Sequence, residues 1–298
     1  MKRSRFSALT VFATLLLTAG CMGRRTAGNA ADSLPGEICT MHIPDSAAAG
    51  EGTGPALPRI GEDGSSKRWG PFTENDTTFL FVEEYPLGDD TNRYKVFIRK
   101  GPQPATDPNF ALLSPQNESD WRDFTYQLNQ LRKSRPEPLP RHAALDELPR
   151  NWTPVRSFRG EYYVDGFNPY PVWISDSLFV RQFMDGPLPS VIEAAEQRSP
   201  THYRLRTTAG YSGIDRVDIH IVDTVRKIAV FTFGDAEKTE CFHLLYAPIE
   251  TALGMNMVDF YSLELPEDEV EWDEVDYGAL IRHAEQAGQN TKNQNETK

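Results

Sequence analysis

Apolar positions change their spacing several times along this chain. From Phe6 to Ala19 they form a nearly continuous run of about 14 residues, broken only by Ser7 and threonines, behind Lys2, Arg3 and Arg5. A bilayer span takes roughly 20 apolar residues. The apolar part of a secretory signal peptide takes only about 7–15 behind a positive start. The shorter length predicts a signal peptide over residues 1–20. Residues 21–68 are rich in Ala, Gly, Ser and Pro with little periodicity, a composition too poor in apolar groups to offset ordering entropy. They read as a flexible tether, and only Ile38 to Ile43 alternates like a strand.

Period-two patterns then take over. Thr78–Glu83 and Tyr94–Arg99 are β-branched and aromatic, and Gly88–Asn92 between them has turn chemistry, which predicts a hairpin. Trp121, Phe124, Leu128 and Leu131 fall on one face of a helix over Ser119–Lys133. Pro136, Pro138, Pro140, Pro149 and Pro154 mark a connector. Strands are predicted at Phe158–Val164, Pro171–Phe183, Tyr203–Thr207, Val217–Asp223, Lys227–Phe233 and Cys241–Tyr246, with a helix at Pro189–Gln197. Short sequential strands favour antiparallel pairing. Glu267–Asp276 is dense in acids, a short helix follows over Val275–Ala287, and residues 288–298 read as a disordered tail. The expected fold class is α+β, a mainly antiparallel β-meander body with two or three helices after a disordered N-terminal tether. Its expected divisions are 1–20 signal peptide, 21–68 tether, 69–135 hairpin and helix, 136–265 β-rich subdomain, and 266–298 acidic segment, helix and tail.

Leu17-Thr18-Ala19-Gly20-Cys21 closes the first apolar run. It resembles the lipobox of bacterial lipoproteins, with Thr18 where leucine is usual. The resemblance implies that the Cys21 thiol takes a diacylglycerol, that cleavage precedes Cys21, and that the new amine is acylated. Two or more acyl chains anchor firmly where one is marginal. The residue after Cys21 is Met22, not the Asp that retains enterobacterial lipoproteins in the inner membrane, so the implied location is the cell envelope at the outer membrane. Gly160–Tyr163, Trp173–Ser177, Met184–Gly186 and Lys227–Phe231 resemble uncharacterised lipoproteins of Bacteroidales-type bacteria, a group that implies no activity.

Charge narrows the partners. The whole chain carries a formal −12, and removing residues 1–20 takes away Lys2, Arg3 and Arg5, leaving about −15. Such a surface excludes nucleic acid as an expected partner, because phosphate neutralisation needs Lys and Arg. Membrane contact is expected through the N-terminal lipid alone. With Cys21 lipidated, Cys39 and Cys241 remain. They either pair, closing a loop worth roughly 4–5 kcal/mol of chain entropy, or stand as separate small buried hydrophobes.

No motif for metal-dependent hydrolysis or nucleotide binding is present, and no catalytic residue, metal or cofactor is expected. Gly210–Ile214 lacks the second glycine of a nucleophile elbow and reads as a turn. His202, His220 and His243 lie in or beside predicted strands. His220 and His243 can share a sheet face like a metal or acid–base pair, although satisfied strand histidines are commoner. The acids from Glu267 to Asp276 lack the spacing and glycine of a calcium loop and read as a solvated connector. Phe167, Tyr170 and Trp173 sit in a Pro-rich loop. They offer an aromatic binding surface for a protein or envelope glycan, or else a loop that folds back and buries Trp173. The expected role is a non-catalytic binding module on a lipid-anchored envelope lipoprotein. An immunity or inhibitor lipoprotein facing a basic toxin or enzyme is the first alternative, and a hydrolase of envelope polymers the second.

Overall fold

Both faces of Val217–Ile221, where apolar residues alternate strictly, are buried, and this decides the architecture. A computed structural model describes residues 58–61, 64–87, 90–107, 110, 118–135, 137–168, 170–183, 186–208, 214–235, 241–261 and 267–296. The signal-peptide region, Cys21, Cys39 and the Gly210–Gly213 part of the turn lie outside them.

Fourteen strands form one sheet among the described residues. Eight close into a barrel in the order β5 (Asn151–Phe158), β13 (Cys241–Pro248), β12 (Ile228–Gly234), β11 (Arg216–Asp223), β10 (His202–Thr207), β9 (Gly186–Ser199), β8 (Leu178–Phe183) and β7 (Val172–Ile174). Every barrel pairing is antiparallel. Closure comes from β5 meeting β7 at Asn151↔Trp173 and Trp152↔Val172. This overturns the expected α+β meander: the strands form a closed β-barrel. Open edges expose unpaired N–H and C=O groups, and closure removes them.

The other six strands extend outward from β5. They run β6 (Glu161–Asp165), β14 (Met257–Tyr261), β4 (Asp90–Arg99), β3 (Thr77–Leu87), β2 (Ser66–Glu74) and β1 (Arg59–Ile60). The β6–β14 pairing is parallel. Asn75-Asp76 and Arg159-Gly160 turn the β2–β3 and β5–β6 hairpins with positive φ at both residues, the two-residue geometry that suits strand twist. The expected single strand Phe158–Val164 is therefore split by a turn, and Pro171–Phe183 is split between β7 and β8 by Ser175–Ser177.

Trp152, Ile192, Leu205, Ile219, Phe231 and Phe233 fill the barrel interior with no exposed surface. Eight strands enclose a space about wide enough for side chains to fill. Each fully buried large apolar side chain contributes about 1.5–3 kcal/mol. On the outer wall, Ile228, Val230, Leu245 and Met257 pack with Ile281 of helix α3 (Tyr277–Glu296). Helix α1 (Glu118–Ser134) lays Phe124, Leu128 and Leu131 against Leu178, Val180 and Val191, as its spacing predicts. Helix α2 (Ile249–Ala252) is one turn.

Two further expectations change. Pro189–Gln197 is not helical; it lies in β9. Its Glu and Ala residues favour helix in isolation, but Val191 and Ile192 are buried on opposite sides of the barrel wall, and pairing overrides propensity. The first half of β9 pairs with β8 and the second half with β10. Pro187 and Pro189 fall in the half with no β10 partner, where a missing N–H is tolerated. The C-terminal helix also extends to Glu296, into the expected tail.

Candidate functional site

β8, β10 and β12 finish, and β9, β11 and β13 begin, at the same end of the barrel. Period-two alternation on β8 sends Leu178 and Val180 outward beneath α1 and Phe179 inward. Arg181 and Phe183 follow Phe179 on the inner side. The Arg181 guanidinium therefore stands in the mouth of the barrel, among rings. Its central carbon lies 4.7 Å from the Phe183 centroid, 4.8 Å from Phe233 and 5.9 Å from Phe242. Phe233 and Phe242 are stacked at 5.0 Å.

The wall is open beside this cation. β5 pairs with β13 only from Leu245 to Pro248, so among the described residues Cys241–Leu244 has β12 on one side and no strand on the other. Phe242 and Leu244 share the face of buried Tyr246, yet they are 38% and 37% exposed. The Tyr246 hydroxyl donates to the Tyr170 carbonyl at 3.4 Å, and burial pushes its ionisation well above the ordinary tyrosine range. Burial likewise lowers the Arg181 pKa, with Tyr246 acting the other way. No carboxylate pairs with Arg181 among the described residues, whereas Arg204, Arg216 and Arg226 each have one. Cation–π contacts recover about 0.5–2 kcal/mol each. A partly buried charge still lacks the fork of acceptors that a guanidinium's geometry matches.

The three loop aromatics face three different neighbourhoods. Phe167 is 3% exposed, stacked on Phe260 at 4.9 Å and edge-on to Trp272. Its loop is held by buried Asp165, which accepts from the Phe167 N–H and Asn168 Nδ2 and pairs with Arg156. Trp173 is half-buried under α1, edge-on to Phe124. Only Tyr170 reaches the mouth, 6.5 Å from Phe183. Cys241 is buried, its sulfur 4.0 Å from His243 Nε2.

The acidic segment exposes four of its seven acids, as a solvated connector would, but the other three are docked. Glu267 pairs with Arg156, and Glu269 accepts from Trp69 Nε1 at 2.8 Å and from Lys67 at 3.2 Å. Val270 is buried in the core shared by Phe81, Phe158 and Val258. Asp273 accepts from Ser157 Oγ at 2.5 Å, Gly160 N at 2.7 Å and Arg159 N at 2.8 Å, closing the β5–β6 turn. Glu267, Glu269 and Asp273 are thus spent on structure, while Asp268, Glu271, Glu274 and Asp276 are exposed. A groove of about 410 Å³ lies among Ser66, Arg68, Glu74, Glu84 and Arg93, but there Glu74 joins Arg68 to Arg93 and Glu84 takes Arg93, leaving its charges matched.

His220 and His243 do share the outer face of the barrel, but the nearest ring to His220 belongs to His202, 3.9 Å away. His243 instead bonds Thr232 Oγ1 at 2.9 Å and stacks on Tyr277. Sequence reasoning missed Arg181. Its signal was present: the inner-side sequence Phe179, Arg181, Phe183 puts a cation between two aromatics on one face.

Comparison with known protein families, curated proteins and solved structures gives no match for this chain. No helix among the described residues is long and apolar enough to cross a membrane.

Proposed function

We propose that this chain is a lipid-anchored envelope binding protein that receives a carboxylate with an apolar body at the open end of its barrel. The observation that carries this reading is Arg181, a guanidinium with aromatic neighbours and no carboxylate partner among the described residues. A carboxylate would complete its fork. Phe183, Phe242 and Leu244 would cover the attached apolar group and shield the pair from water, strengthening it. The signal-peptide pattern and the Cys21 lipobox supply the anchor. The filled interior supports a ligand held at the mouth rather than swallowed by the barrel.

The test is fluorescence titration of the full chain with an anionic naphthalene carboxylate and its neutral methyl ester, in wild type and Arg181→Met. The reading expects saturable binding of the acid, at least about tenfold weaker in the variant, with the ester bound equally weakly by both. Equal affinity of wild type and variant for the acid would overturn it.

A further inference from the structure

A second constellation lies on the outer wall, away from the mouth. In the β10–β11 register His202 stands directly opposite His220, and Arg204 opposite Asp218. All four project from the outer side, since Tyr203, Leu205, Val217 and Ile219 fill the interior. The C-terminal helix crosses above them. Its depth is set by Thr201 Oγ1 donating to the Ala284 carbonyl at 3.0 Å and by Gly288. A Cβ there would come within 2.9 Å of both Ser199 Oγ and Thr201 Oγ1. That seating places Glu285 over the two imidazoles, its Oε1 3.5 Å from His220 Nε2.

His220 is 5% exposed, and neither ring nitrogen has a hydrogen-bond partner among the described residues. A buried polar group left unmet costs about 1–3 kcal/mol, and its retention asks for a cause such as an ion. Glu285 is too far for a hydrogen bond of ordinary length, but it is near enough to share a ligand with His220. His202 is prepared differently. Its Nε2 lies 2.9 Å from Asp218 Oδ1. Arg204 Nε donates to the same oxygen at 2.6 Å, which marks that oxygen as an acceptor. His202 must then donate through Nε2, which leaves Nδ1 as a lone pair. A carboxylate that orients a ligating histidine in this way is the usual outer support of a metal site. Asp218 also takes up the charge of Arg204, which would otherwise repel a cation.

We propose that His202, His220 and Glu285 bind a zinc-class divalent cation that staples the C-terminal helix to the barrel wall. One ligand atom from each residue lies within 4.8 Å of the others. Ligands about 2.0–2.1 Å from a tetrahedral ion stand about 3.3 Å apart. The half-exposed Glu285 side chain and a rotation of the His220 ring, now 25° from parallel to His202, supply the contraction. Two imidazoles and one carboxylate select zinc, nickel or copper over magnesium and calcium, and three protein ligands leave a fourth position for water. The staple is independent of the mouth described above.

The test is a competition titration of the chelator-treated full chain with Zn²⁺ against a chromophoric chelator, with Co²⁺ as a spectroscopic probe. Wild type should bind one Zn²⁺ with a Kd below about 1 μM and give the intense visible bands of tetrahedral Co²⁺. Glu285→Gln, at a half-exposed position that leaves folding intact, should weaken zinc at least about tenfold. Asp218→Asn should weaken it about 10–100-fold. His220→Gln should abolish the cobalt bands, while His283→Gln, on the exposed side of the helix, should change nothing. Wild-type binding no tighter than about 0.1 mM, or tight binding retained in Glu285→Gln, would overturn the proposal.

Discussion

Arg181 rests with its guanidinium carbon 4.8 Å from the centre of the Phe233 ring, so a cation faces the aromatic layer that seals the barrel interior. Desolvation disfavours this charge, and no acid among the described residues offsets it. The ring contacts work against that cost, so Arg181→Met, with an apolar side chain of similar length, should change stability by no more than about 1 kcal/mol. Denaturant unfolding measures this. A loss of several kcal/mol in the variant would show that Arg181 is a structural cation and not a ligand contact.

Asp273 ties the acidic segment to the β5–β6 turn. Burial opposes its charged form, but bonds from the Ser157 hydroxyl and the Gly160 and Arg159 N–H groups outweigh that and hold its carboxyl below the ordinary range. A depressed carboxyl stabilises the fold above its unfolded pKa of about 3.9, and the contribution is lost as pH falls through the lower folded value. Asp273→Ala should cost about 1–2 kcal/mol at neutral pH and flatten the acid limb of stability below about pH 4. An unchanged acid limb in urea melts across that range would contradict this account of the turn.

Gly288 packs where a side chain would meet Ser199 and Thr201. In an isolated helix, replacing glycine by leucine is favourable by up to about 1 kcal/mol. Gly288→Leu should instead destabilise by about 1–3 kcal/mol, because the helix must lift from the barrel. Thermal unfolding distinguishes the two signs.

Cys21 carries the anchor expectation. Expressed in a bacterium that processes lipoproteins, the full chain should incorporate labelled palmitate and sediment with membranes, and Cys21→Ser should do neither. Equal labelling of the two would refute lipidation at this residue.

Local elements were legible where one face dominates. Val217, Ile219 and Ile221 alternate because only their side fills the barrel, and Phe124, Leu128 and Leu131 recur because only their stripe meets β8 and β9. Closure was not legible. It rests on Asn151–Trp152 meeting Val172–Trp173 across an intervening hairpin, and no periodicity encodes that pairing. β9 was misread because Val191 and Ile192 are buried on opposite faces and erase its alternation. The acidic segment hid its docking in three apolar residues, Val270, Trp272 and Val275, among seven acids. Arg181 was visible as a cation between Phe179 and Phe183 on one strand face, but the open wall that gives it meaning depends on where β5 parts from β13.

Isothermal titration of the full chain with a medium-chain carboxylate and the alcohol of equal length tests the central claim most directly. The account predicts that wild type prefers the acid by at least about tenfold, or about 1.4 kcal/mol, that Arg181→Lys keeps part of this preference, and that Arg181→Met loses it. Equal affinity of wild type for acid and alcohol, or a preference that survives in Arg181→Met, would contradict it.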